Sequence, residues 1–160
     1  LRPATHADWA RIDGWLALEQ VRRWWGSHTA GQAAVLAALD APMGLCSIIE
    51  ADGRAVGYAH ALDAIAGGLA GPDFSGCYRI DVFVGERAYR GRGIGVAALR
   101  LVTAEIFDTT LAPAAISIVS IRNEAAVRAH EKAGFAWVRV VEDALLGPCW
   151  LMRLERRAPG

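Results

Sequence analysis

The sequence predicts a mixed α+β domain spanning residues 1–160. Three observations carry this. Segments with the two-residue alternation of strands interleave with segments of helical period, Asp52-Gly53 supplies a hairpin signal, and two strand–helix–strand passages surround a central glycine cluster. The apolar share of 54% is enough for a proper core, and 160 residues is the size of one ordinary domain. No linker, repeat or low-complexity run divides the chain.

Leu1–Ala4 reads as a short edge strand. Thr5 then stands at an N-cap position with Asp8 in the first turn, and Trp9, Ile12 and Leu16 follow at helical spacing. Val21–Trp25 is a short helical piece stopped at Gly26, and Gln32–Leu39 is a third, ended before Pro42. Leu45–Glu50 and Ala55–Leu62 are the two arms of the Asp52-Gly53 hairpin, and Cys77–Val84 is the strongest strand in the chain. Between them, Ala66–Gly76 is a long loop with four Gly and one Pro, a length at which loops are often functional. Gly93–Phe107 is a helix with Ile94, Ala97, Ala98, Leu101, Val102 and Ile106 on one broad face. Ala115–Ile121 is a buried strand, Asn123 caps a helix that ends at Gly134, and Phe135–Val141 with Trp150–Leu154 close the chain as a hairpin. The order is roughly β-α-α-β-β-β-α-β-α-β-β.

Composition narrows the function classes. Seventeen basic residues balance seventeen acidic ones, so there is no global field for a polyanion and nucleic acid is not the expected partner. Three cysteines without a C-x-x-C pair speak against a disulfide framework or a zinc site, and His6, His28 and His60 lack metal-ligand spacing, so no metal is expected. No run of 18 apolar residues and no signal-peptide pattern occurs, which makes the cytoplasm the expected location and a membrane partner unexpected. Oligomeric state is not readable.

The glycine segment Arg90-Gly91-Arg92-Gly93-Ile94-Gly95 joins the strongest strand to a helix. A helix start offers unpaired N–H groups and the positive end of the dipole, glycines allow close backbone approach, and Arg87, Arg90, Arg92 and Arg100 stand nearby, all of which suits phosphate. A P-loop is excluded because no Gly-Lys exists; the one lysine is Lys132. A dinucleotide fingerprint is excluded because the spacing is G-x-G-x-G, in mid-chain after a hairpin.

At these residues the sequence resembles the GNAT superfamily of acyl-CoA N-acyltransferases. Arg90–Gly95 matches that family's [RQ]-x-x-G-x-[GA] loop, and Asn123-Glu-Ala-Ala-Val-Arg-Ala-His-Glu-Lys-Ala-Gly-Phe135 follows its N-x-x-A-x-x-x-[YH]-E-K-x-G-F pattern. Within the superfamily it is most similar to the aminoglycoside 6'-N-acetyltransferase branch. Asp8-Trp9, Trp15-Leu16, Trp24-Trp25-Gly26, Val56-Gly57-Tyr58-Ala59 and Ile80–Glu86 running into Tyr89-Arg90-Gly91 carry that likeness. The resemblance implies a mostly antiparallel central sheet of six to seven strands, flanked by helices and splayed at its central strand. It also implies acetyl-CoA as co-substrate: the N–H groups of residues 91–95 hold the pyrophosphate, Phe83 and Val84 pair with the pantetheine arm, and Asn123 contacts that arm.

Alternation puts Cys77, Arg79, Asp81 and Phe83 on one strand face. Asp81 is either half of an Arg79–Asp81 pair on a solvated sheet face or the group that orients the substrate amine and takes its proton, the part played by the matching aspartate of the aminoglycoside branch. His130 stands where the family commonly has a tyrosine acid; it either protonates the leaving thiolate or plays a weaker hydrogen-bonding role. Trp24, Trp25 and Tyr58 either line an acceptor cleft or clamp a helix to the sheet. Glu86 either orients the glycine loop or is simply surface.

The expected function is direct acetyl transfer from acetyl-CoA to a primary amine, with an aminoglycoside 6'-amine as one candidate acceptor. Polycations call for clefts rich in carboxylate, and the 66–76 loop carries only Asp73; Asp63, Asp81, Glu86, Glu142 and Asp143 are the other candidates. The alternatives are another small-molecule or protein amine, a CoA-binding sensor without turnover, and a generic α+β binding domain.

Overall fold

The computed structural model describes residues 1–157, and the last three positions of the expected domain lie outside them. The strands are β1 (Arg2–Pro3), β2 (Leu45–Ala51), β3 (Arg54–Asp63), β4 (Tyr78–Val84), β5 (Ala114–Ser120), β6 (Ala136–Asp143) and β7 (Gly147–Glu155). The helices are α1 (Trp9–Leu16), α2 (Glu19–Trp25), α3 (His28–Asp40), α4 (Ile94–Thr109) and α5 (Glu124–Ala133). One seven-stranded sheet runs β1-β2-β3-β4-β5-β7-β6, with every neighbouring pair antiparallel except β4 and β5.

Local chemistry fixes most boundaries. Thr5 caps a single 3₁₀ turn with a reciprocal capping box to Asp8, and α1 continues from it. The third helix starts at His28, four residues before the expected Gln32, because Ser27 Oγ accepts from the Ala30 N–H and caps it. Asp52 and Gly53 both take positive φ, at 51° and 72°, as a two-residue hairpin turn requires. β7 begins at Gly147 rather than Trp150, since Pro148 lacks only a donor and its carbonyl still accepts from Ile121 N–H.

One face of the sheet is dry. Tyr78, Ile80, Ala115, Val119 and Met152 pack there against Leu99, Val102 and Ile106 of α4 and Val127 of α5. The buried stripe of α4 differs from the expected one. Leu99 and Thr103 are buried while Leu101 is 53% exposed, because apolar residues run almost round this helix and so leave its rotation undefined by pattern. The opposite face carries two smaller clusters. Ile12, Trp15, Val35, Tyr58 and Phe83 pack under α1–α3, and Phe74, Cys77, Ile116 and Leu151 pack under the loop after β3.

Arg79 and Asp81 lie on β4 between those clusters. β4 and β5 pair only at Tyr78–Ala115 and Arg79–Ile116, after which Ser117 Oγ donates to Ile80 O at 3.1 Å and the two strands part. The expected splay therefore stands at the centre of the sheet. Among the described residues, no helix is long and apolar enough to cross a membrane.

Candidate active site

The splay opens into a cavity of about 490 Å³ bounded by β4, β5, α2, the N-terminal turn of α4 and one side of α5. Asp81, Phe83, Val84, Arg90, Gly91, Gly93, Ile94, Gly95, Asn123, His130, Trp24 and Trp25 all line it. Two expected residues do not. Tyr58 is fully buried beneath Trp25 and opposite Phe83, so it backs the cleft wall without reaching the cavity. The Arg92 side chain turns outward over the Tyr89 ring and toward Asp52, at 3.6 Å. The loop after β3 also lies outside the cavity. It folds onto the sheet through the buried Phe74 and reaches the site only where Gly67 O accepts from Arg79 Nη1 at 3.0 Å.

The phosphate-suited half is made of backbone. Gly91 and Gly93 have φ of 70° and 77°, which L side chains rarely adopt, and Gly93 in the left-handed region starts α4. Gly95 has no such requirement, and a Cβ built there meets no atom within 4 Å. The protein gives no packing reason for glycine at position 95, so the space in front of the helix start is left open. Arg90 is not free for phosphate. Its Nε donates to Val84 O at 2.9 Å and Nη2 to Gly85 O at 2.8 Å, latching the loop to the end of β4. With the Gln20 amide turned oxygen-first, it accepts from Arg90 Nη1 and Nη2 at 3.1 and 3.0 Å. The latch continues inward: Trp15 Nε1 donates to Glu86 at 2.8 Å, and a Cβ at Gly85 would lie 2.4 Å from the Trp15 ring. Glu86 thus orients the loop.

The register of β4 decides which amides face the gap. Gly85 N–H donates to Val56 O, and Gly85 lies opposite Val56 by extension of the Val84–Gly57 pairing. Alternation of an antiparallel ladder then commits the main chain of Phe83 and Asp81 to β3 and turns that of Val82 and Val84 toward β5. The free amides are therefore those of Val82 and Val84, with the Val84 carbonyl taken by Arg90. Val82 was not a candidate from sequence, because strand pattern does not reveal which edge of each residue is paired. Asn123 Oδ1 accepts from Ala126 N–H at 3.2 Å to cap α5, which leaves its amide N–H₂ group for the cavity.

The other half is made of side chains. Asp81 accepts from Arg79 Nε at 3.1 Å, and His60 Nε2 lies 3.4 Å from it, directly across the β3–β4 ladder. Burial pushes the Asp81 carboxyl up, but the Arg79 charge and the His60 N–H outweigh it and hold the group well below the usual carboxylate range. His60 is 3% exposed and its Nδ1 has no partner. Strand pattern alone does not bring it to Asp81, since the long β3–β4 connection hides the register. Trp25 packs on His60 and Phe83 with ring centroids at 5.5 and 5.0 Å.

His130 Nδ1 lies 2.8 Å from Ala126 O. A carbonyl only accepts, so the proton sits on Nδ1 and Nε2 carries a lone pair. Phe135 stands edge-on to the ring at 5.2 Å and holds its plane. Burial lowers the His130 pKa; the Ala126 bond and the Asp81 charge oppose that only in part.

A family model described as an acetyltransferase (GNAT) domain matches residues 4–143. A search of curated protein sequences finds no match. Among solved structures, the aminoglycoside acetyltransferase AAC(6')-Ib in complex with coenzyme A is similar at TM-score 0.83 and 25% identity, covering 97% of this chain and 93% of that one. An aminoglycoside N(6')acetyltransferase from Legionella pneumophila is similar at TM-score 0.78 and 17% identity, covering 96% and 90%. Spermidine N-acetyltransferase from Vibrio cholerae, in complex with CoA and spermine, is similar at TM-score 0.74 and 12% identity, covering 96% and 93%.

Proposed function

The chain belongs to the GNAT family of acetyltransferases and is an acetyl-CoA-dependent N-acetyltransferase, and we propose that it acetylates a primary amine in the β4–β5 splay with His130 as proton acceptor. The observation that carries the reading is the pairing of a helix start left open at Gly95 with two unpaired strand amides at Val82 and Val84, all on one cavity. That geometry suits the pyrophosphate at residues 91–95 and the pantetheine arm along β4, with the Asn123 amide beside it.

Asp81 and His130 divide the work differently from the sequence expectation. A carboxylate held ionised by Arg79 and His60 is a weak base, but it is well suited to accept a hydrogen bond from the incoming amine and aim it. The amine attacks in its neutral form, and the neutral His130, with Nδ1–H tied to Ala126 and Nε2 bare, is suited to take the proton the nitrogen sheds as the C–N bond forms. An N–H on β4 is suited to the developing oxyanion. The C–S bond then breaks, and the imidazolium returns the proton to the sulfur, whose thiol has an ordinary pKa of ~8.5. An aminoglycoside, the acceptor class of the AAC(6')-Ib neighbour, is one candidate acceptor, beside other small amines.

Thiol release from acetyl-CoA across a panel of amines tests the reading. Release that depends on the amine is the expected result. Saturable CoA binding with no release on any amine would make the protein a sensor and sink the proposal.

A further inference from the structure

The charges around the acceptor half are the reverse of what a polycation needs. Among the described residues, Asp81 is the only carboxylate in the cavity lining, and it already faces Arg79 and His60. Of the other acids that sequence offered for a cationic substrate, Asp73 and Glu142 stand outside the cavity lining, and the remaining three are engaged. Asp63 caps the turn at Ile65 and Ala66, Asp143 caps Leu145 and Leu146, and Glu86 holds Trp15.

At the mouth the balance is positive. Trp24 lines the cavity on one side and, on the other, a second depression of about 240 Å³ whose remaining walls are Arg23 and Arg122. Arg23 comes from α2 and stacks its guanidinium over the Trp24 ring at 5.4 Å, which holds it in place. Arg122 comes from the turn between β5 and α5, one residue before the Asn123 cap. Neither side chain has an acidic partner among the described residues. Two unpaired guanidinium groups facing one hollow are a fork for a carboxylate.

We propose that the acceptor carries a carboxylate as well as its amine, and that Arg23 and Arg122 bind that carboxylate beside Trp24 while the amine reaches Asp81. This rests on the acetyl-transfer reading above and names the acceptor class within it. An amino acid or similar amine–carboxylate fits; a polyamine or aminoglycoside leaves the arginines unmatched and brings surplus ammonium groups to a site with one engaged carboxylate.

The test compares 6-aminohexanoate, its methyl amide, 1,6-diaminohexane and kanamycin in the thiol-release assay, on the intact chain and on Arg23→Gln, Arg122→Gln and Arg122→Lys. The expected result is a kcat/KM for 6-aminohexanoate about tenfold or more above the amide and the diamine, the size of one charge-assisted hydrogen bond. Each Gln variant should raise its KM by a similar factor, with Arg122→Lys recovering part of it and the KM for acetyl-CoA unmoved. Preference for kanamycin or the diamine would overturn the inference and leave acetyl transfer standing. A rise in the acetyl-CoA KM would assign the arginines to the coenzyme phosphates and overturn it too. No release from any amine would overturn both.

Discussion

The two halves of the cavity are built from different materials. The half at residues 91–95 and along β4 presents main-chain N–H groups, and its side chains either point away, like Arg92, or serve the loop itself, like Arg90. The half at Asp81, His60, His130 and Trp25 presents side chains, each fixed by a specific neighbour: Asp81 and His60 by each other across two strands, His130 by a carbonyl of its own helix, Trp25 by the His60 ring. The first is rigid because the backbone is rigid; the second is only as good as its hydrogen bonds. Substitutions should therefore act differently in the two halves.

The largest effect is expected in the side-chain half. His130→Phe keeps the ring volume but removes the lone pair, and kcat should fall by about 10²–10³-fold with CoA binding retained, as steady-state kinetics and calorimetry can show. Near-normal kcat would make the neighbouring Phe135 contact the whole purpose of His130.

Glycines give the sharpest contrast in the backbone half. Gly57 and Gly95 are both small, yet a Cβ at Gly57 would lie 2.3 Å from Phe83 O while one at Gly95 meets nothing. Gly57→Ala should lower stability by roughly 1–3 kcal/mol in denaturant unfolding. Gly95→Val should fold normally and raise the acetyl-CoA KM about tenfold or more, since its added methyls point at space the ligand needs. Equal loss of stability in both would mean that the space at Gly95 is not what the glycine provides.

Asp81→Asn should cost about 1–2 kcal/mol, because the partly buried Arg79 loses its counter-charge, and should raise the amine KM more than it lowers kcat. A fall in kcat alone would return the base role to Asp81.

The pH dependence has a definite sign. His130 has a folded pKa below its ordinary ~6.5, so the neutral form prevails at pH 7. The limb of the activity profile that His130 sets should fall as pH drops through that lowered value, beside the separate loss of the neutral amine. Stability should fall in the same direction, because below ~6.5 the unfolded chain binds a proton that the folded chain resists. His130→Phe should remove this contribution to the stability slope below pH ~6.5. The smallest effect belongs to Arg92→Ala, whose exposed contacts to Asp52 and Tyr89 should leave stability within about 0.5 kcal/mol.

The same division explains what the chain revealed as a string of letters. Gly91, Gly93 and Gly95 announce the phosphate half because conformational freedom and missing side chains are properties of single residues at fixed spacing. The Thr5 and Asn123 caps and the Asp52-Gly53 hairpin are local in the same way and readable for that reason. The side-chain half depends on strand register across a long connection. His60 meets Asp81, and Val82 rather than Phe83 faces the gap, only because Gly57 pairs with Val84. Residue type leaves Tyr58 open between a cleft wall and a helix clamp; α1–α3 and Trp25 cover it, which pattern cannot foresee. The tautomer of His130 depended on an i−4 carbonyl, and only the side-chain rotamer decides whether that bond forms.

The most direct test of the account is a titration of the ¹⁵N-labelled protein with coenzyme A, followed by amide chemical shifts. The predicted result is that Val82, Val84, Gly91, Gly93 and Gly95 shift together and saturably, with the amides of β1 and β6, at the two edges of the sheet, moving least. Saturable binding that leaves the β4 and glycine-loop amides unmoved, with the shifts clustered elsewhere, would contradict it.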